Sequence, residues 1–155
     1  MALHPIRHKL RHGMTLIELM IVAVVLAILA AMAWPSFQQA VQRSRRADAI
    51  SALAEIMQAQ ERWRANNPSY QGVVASLPGA RAVSQNGHYG LALSVESATA
   101  GVAYIASATV RSGSPQAGDS RCQVLQVSMS GGNIVYGSLA SGNTANAVPD
   151  PCWVR

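Results

Sequence analysis

The sequence predicts an α+β fold: a long N-terminal helix with a protruding apolar half, packed farther on against a small antiparallel β-sheet, and a C-terminal disulfide loop. Three observations lead there. Residues 14 to 34 form an apolar run of fourteen large side chains broken by one charge, Glu18. Residues 38 to 66 turn polar while keeping apolar residues at helical spacing. Past residue 88 the chain breaks into short β-rich runs separated by Gly, Ser and Pro, and its only two cysteines, Cys122 and Cys152, lie in this last part.

Taking the elements in order, residues 1 to 13 (MALHPIRHKLRHG) are a polar, basic leader. The apolar run follows, and between Glu18 and Arg43 there is no charge. That length and composition suit a transmembrane helix. An ordinary secretory signal cut at Ala31-Met32-Ala33 is the rival, but its apolar region would be shorter and would lack a carboxylate. A charge in such a helix costs about 2.5 to 3.5 kcal/mol, so Glu18 reads as functional. Cleavage after Gly13 would create an amine on Met14 at the membrane level of a neighbour's Glu18, offering a paired charge.

Pro35 interrupts the helix and should bend or loosen it. Beyond it, Ala47, Ile50, Leu53, Ala54 and Met57 recur at helical intervals and predict a packed stripe. The helix should stop near Asn66-Asn67-Pro68. If residues 15 to 65 are one helix, it is about 75 Å long at about 1.5 Å per residue, too long for a compact domain of this size. Residues 72 to 88 read as loop, followed by strands at 89–95, 102–110, 122–128 and 134–136. Ser130-Gly131-Gly132-Asn133 supplies the hairpin turn between the last two strands. Residues 137 to 151 read as loop again.

The formal charge is +5. Three basic residues, Arg7, Lys9 and Arg11, belong to the leader; without it nine arginines face seven acids, a difference of +2. That balance weakens the argument for a strong electrostatic nucleic-acid binder. In an exported chain two cysteines predict one disulfide. With His88 the only histidine after the leader, a zinc set is poor and no cofactor is expected. Neither a phosphate loop nor a nucleophile elbow occurs, so catalysis is not expected. Trp63 and Trp153 are expected to pack at the stripe's edge and behind the disulfide.

The string Gly13-Met14-Thr15-Leu16-Ile17-Glu18-Leu19-Met20-Ile21-Val22, followed by Pro35, resembles the class III signal of type IV pilins, minor pilins and type II secretion pseudopilins. Residues 44 to 70 and the closing Pro151-Cys152-Trp153 are similar to PilE-type minor pilins and their ComP-like DNA-receptor relatives. The resemblance implies a prepilin peptidase cut between Gly13 and Met14, N-methylation of Met14, and pairing of Glu18 with a neighbour's terminal amine. It implies Pro35 in assembly and a Cys122–Cys152 bridge closing the so-called D-region. The chain departs from the family at Met14, where Phe is usual, and at Ala27, where Gly is common.

The organisation that follows is a leader (1–13), a transmembrane and filament-core helix (14–36), and a periplasmic or extracellular head (37–155). The head comprises helix to about 66, sheet over 89–136 and a D-region over 122–152. The expected function is a structural, minor subunit of a type IV pilus, a fimbrium serving adhesion or motility. Its partners would be other pilins, the peptidase and an inner-membrane assembly platform. The chain would sit as a single pass in the inner membrane of a Gram-negative bacterium before joining an extracellular fibre. A pseudopilin is one alternative. A DNA receptor is another, with Arg62, Arg64, Arg81, Arg111 and Arg121 as its basic patch. Arg43, Arg45 and Arg46 are expected at lipid headgroups.

Overall fold

The computed structural model describes residues 14–153, so Gly13 and the leader lie outside the described residues. Helix α1 (Leu16–Arg64) is followed by β1 (Tyr89–Ser94), β2 (Ala103–Val110), β3 (Val124–Ser130) and β4 (Asn133–Leu139). The chain divides after Gln39 into two compact units.

In the first unit, Thr15 starts the helix. Its hydroxyl accepts from Glu18 N–H at 3.3 Å, satisfying one of the donors that a helix start leaves orphaned. The helix runs through Pro35 without a break. Ser36 Oγ donates to Ala33 O at 2.8 Å one residue past the proline. Every residue from Met14 to Gln39 is exposed.

In the second unit the rest of α1 covers a four-stranded sheet of order β1-β2-β3-β4, antiparallel throughout. Alternation sends Tyr89 and Leu91, Tyr104, Ala106 and Ala108, and Leu125 and Val127 into the core. Gly131 and Gly132, with φ of 54° and 85°, make the β3–β4 turn, where left-handed backbone is needed. The first two strands match those expected to within one residue, whereas β3 lies two residues later than the expected 122–128 and β4 runs on to Leu139, through residues 137–139, expected as loop.

One expectation is corrected. The stripe that meets the sheet is Ala49, Ala52, Leu53, Ile56 and Ala59, with Gln60, whereas Ala47 and Ala54 are exposed and Ile50 and Met57 only half-buried. Three alanines share the covered face with Leu53, Ile56 and Gln60, and the expected stripe, which meets it only at Leu53, is rotated off it. At the helix end, Asn67 Nδ2 donates to Trp63 O at 2.8 Å, and Arg64 donates to Asn67 O at 2.7 Å and Gly101 O at 2.8 Å. The Asn67 side chain thus takes one carbonyl left by the terminated helix, and Arg64 ties the helix end to the loops at Asn67 and Gly101.

Three buried polar groups tie loops to this helix. Asp48 accepts from Ser84 Oγ at 2.6 Å and Asn86 N at 3.0 Å. Gln60 forms a two-way clamp with the backbone of Gln71, at 2.7 Å and 3.0 Å. Arg46 grips Asp119 through two nearly parallel bonds of 2.7 Å and 3.0 Å, the fork geometry of a strong ion pair.

Candidate functional site

The residues singled out by the sequence fall into three places. At the start of α1, Glu18 stands at the third helical position after its cap, Thr15. Thr-x-x-Glu is the capping-box pattern, and a carboxylate in the first turn also meets the positive end of the helix dipole. Sequence reading passed over this local role of Glu18, although Thr15 three residues ahead was the available signal. The carboxylate is thus placed on a stiff, capped turn. From that turn to Gln42 the helix carries no charge and is long and apolar enough to cross a membrane.

The second place is the C-terminal loop. Cys122 and Cys152 are bonded, with Cα atoms 5.8 Å apart, and both are buried. A polar web holds the loop around them. Ser138 Oγ donates toward both Asp150 carboxylate oxygens at 2.7 Å and 2.8 Å and accepts from Asn146 Nδ2 at 2.7 Å. Asp150 also accepts from Cys152 N at 2.9 Å. Trp153 follows directly: its indole N–H donates to Gly137 O at 2.8 Å and its ring tilts against Tyr136 at 4.8 Å. Trp153, Tyr136 and the half-buried Ile50 and Met57 line an open apolar groove of about 520 Å³. Trp63 packs at the stripe's edge as expected, donating to Ser69 O at 3.2 Å.

The third place is the set of arginines, most of which the fold ties to separate partners. Arg64 is fixed to two carbonyls and lies over the Tyr70 ring at 5.4 Å. Arg81 pairs with Glu55 at 3.1 Å on the surface, a contact worth about 0 to 1 kcal/mol. Arg111 donates to Gly87 O at 3.1 Å. Arg62 reaches toward Gly79, beside the Arg81 loop, and Arg121 offers its backbone carbonyl to Asn146 at 2.9 Å. The headgroup expectation for Arg43, Arg45 and Arg46 is revised. Arg46 is committed to Asp119 and Arg45 donates to Pro115 O at 3.1 Å, both in the head, which leaves Arg43 exposed.

Next to the Arg46–Asp119 pair, the Tyr89 hydroxyl is buried beside Gln116 without a well-aligned partner. Burial, reinforced by the Asp119 charge, pushes this phenol up to about 12. Burial likewise pushes Tyr104 up to about 12. His88 is half-buried, its Nδ1 3.3 Å from Ser114 Oγ. Among the described residues no group of three or more His, Cys, Asp or Glu side chains is placed to hold a metal.

Comparison with known proteins adds three findings. A family profile described as type IV minor pilin ComP, DNA uptake sequence receptor, matches residues 35–126. A prokaryotic N-terminal methylation motif matches residues 8–34. The fimbrial protein EcpC of Eikenella corrodens is 36% identical over 78 residues, which is 46% of this chain and 50% of that protein. The chain thus spans about half the length of that relative.

Proposed function

Because the chain belongs to the type IV minor pilin family, whose ComP profile covers most of the head and whose methylation motif covers the N-terminus, we propose that it is a fibre subunit made as a membrane-held precursor. A prepilin peptidase cuts between Gly13 and Met14, and Met14 is then methylated. The helix holds the subunit in the inner membrane until an assembly platform moves it into a fibre among other pilins, with the head on the outside.

The observation that carries this reading is the first unit itself. Fourteen large apolar side chains lie between Met14 and Trp34, and every residue there is exposed. At about 1.5 to 3 kcal/mol for each side chain buried, removing them from water is worth some tens of kcal/mol. The segment therefore leaves a bilayer only for another apolar setting. A bundle of like helices supplies one, and head-to-tail contacts that do not close give a filament. In that bundle Glu18 pairs with the Met14 amine of a neighbour, which offsets the cost of a carboxylate in a dry place. Pro35, which lacks a backbone donor, is where the helix can loosen during the transfer.

The test is fibre entry. Sheared surface fibres are probed for the wild type and for Glu18→Gln, which keeps a capping-box residue but removes the charge. The proposal expects Glu18→Gln to be processed and membrane-held yet depleted from fibres. Wild-type protein absent from fibres would refute it.

A second reading, DNA capture, is favoured by the description of the matched family as a DNA uptake sequence receptor. Arg62, Arg81 and Arg111 would contribute, all on the head. DNA bound through them would be released steeply by salt, since phosphate contacts displace counterions. A gel shift at low salt that vanishes in the triple alanine variant supports this reading, and no shift removes it.

A further inference from the structure

Strand β4 forms one edge of the sheet, and its outward backbone groups are only half used. Asn146 N–H donates to Ser138 O at 3.0 Å and Ala145 bridges Leu139, so the chain's own return segment acts as a short fifth strand over the far end of β4. Backbone groups alternate in direction along a strand. Leu139 O turns toward β3, taking Gln123 N–H at 2.9 Å, while Ser138 turns outward. By the same alternation Tyr136 and Ile134 turn outward too. Among the described residues nothing beyond the sheet bonds to the backbone of either.

Bare edges are normally guarded by charge, proline or a bulge. The strand Asn-Ile-Val-Tyr-Gly-Ser-Leu has no charge and no proline. Its open part is also apolar: Ile134, Val135 and Tyr136 are 41%, 63% and 50% exposed.

We propose that the open part of β4 pairs antiparallel with β4 of a second copy, about a two-fold axis beside Val135. Ile134 then faces Tyr136 of the second copy, and the reverse, each pair exchanging both backbone bonds. Val135 meets Val135 as a non-hydrogen-bonded pair with Cα atoms about 4.5 Å apart. Three features single out a second copy as the occupant. An uncharged strand meets itself without like-charge repulsion, and aliphatic–aromatic pairs across strands are favourable. In addition, the Gly131–Gly132 turn ends the second copy's strand where the segment around Ala145 and Asn146 begins to cover the edge. The contact is a strand addition, the same use of an edge by which sheets capture extended peptides. It is independent of the fibre reading.

So short an interface is weak, and trapping is the suitable measurement. Full-length Val135→Cys in detergent micelles is exposed to a mild oxidant beside Val73→Cys, a control at a position 56% exposed and away from β4. At the two-fold axis the Cα separation suits a disulfide, so a 135–135 dimer should form at least about tenfold faster than the control dimer. Peptide mapping verifies that Cys122–Cys152 is intact. Adding Tyr136→Pro, which removes an outward donor, should bring the rate down to the control's. Equal rates for the two cysteine positions, a dimer bridged elsewhere, or a rate unmoved by Tyr136→Pro in protein that keeps its native disulfide would overturn the proposal.

Discussion

The two units of this chain use the same apolar residues in opposite ways. From Met14 to Gln39, Leu, Ile, Val and Met point outward without exception. In the second unit Leu53, Ile56, Leu125 and Val127 are at most 1% exposed. The head resolves most of its hydrophobic surface internally, with small residues on the helix face and ties such as Arg46–Asp119, whereas the first unit leaves all of that surface exposed. Stability in one region is therefore a matter of packing and pairing, and in the other a matter of surroundings. Substitutions should separate the two.

The largest effect is expected at the buried ion pair. Arg46→Ala leaves the Asp119 carboxylate, whose side chain is 2% exposed, with a Gln116 Nε2 hydrogen bond but no compensating charge, and should lower head stability by about 3 to 5 kcal/mol in urea unfolding. Replacing both members by apolar residues should cost much less, because no charge is left buried. Removing the disulfide through Cys122→Ser with Cys152→Ser should cost about 3 to 4 kcal/mol by the loop-closure argument. In contrast, Leu26→Arg should leave the head's urea midpoint unchanged. It should weaken membrane retention in vesicle flotation, by about 2.5 to 3.5 kcal/mol. A head destabilised by Leu26→Arg would break the comparison.

The pH dependence belongs to the head. Tyr89 and Tyr104 titrate near 12 when folded, above the ordinary 10 of an unfolded phenol. Their protonated forms are therefore favoured by folding. This contribution is fully present below pH 10 and lost as pH rises from 10 toward 12, a decline on the order of 2 kcal/mol for each phenol. Tyr89→Phe should roughly halve that decline, leaving the Tyr104 share, while changing stability at neutral pH little, since the hydroxyl has no aligned partner to lose. The smallest effect is at the cap: Thr15→Ala should cost the helix start about 1 kcal/mol, read as faster amide exchange over residues 16–19 in micelles.

Much of this division was legible in the sequence. The long apolar run, Pro68 after the helix and the Gly131–Gly132 turn are local signals whose meaning depends on near neighbours. What escaped depends on distance in the chain. The Arg46–Asp119 pair joins residues 73 apart, and the Asp48 clamp reaches Ser84 and Asn86. No periodicity announces either. The expected stripe is rotated because alanines lie on both faces of this stretch, Ala49, Ala52 and Ala59 on the covered one and Ala47 and Ala54 on the exposed one, so alanine does not tell the faces apart. The Thr15 cap has a different cause: it rests on a hydroxyl meeting the backbone N–H of Glu18, a bond that the side-chain charge of Glu18 does not announce. For the candidate site, the positions of the arginines could not be read, since surface geometry decides which guanidinium is tied to a carbonyl or a carboxylate.

The most direct test of the central claim is the intact mass and N-terminal sequence of the membrane-held product, expressed with and without a prepilin peptidase. The account predicts a chain beginning at Met14 only when the peptidase is present, and no cut in Gly13→Ala. A product beginning at Trp34, or one that ignores the peptidase, would contradict it.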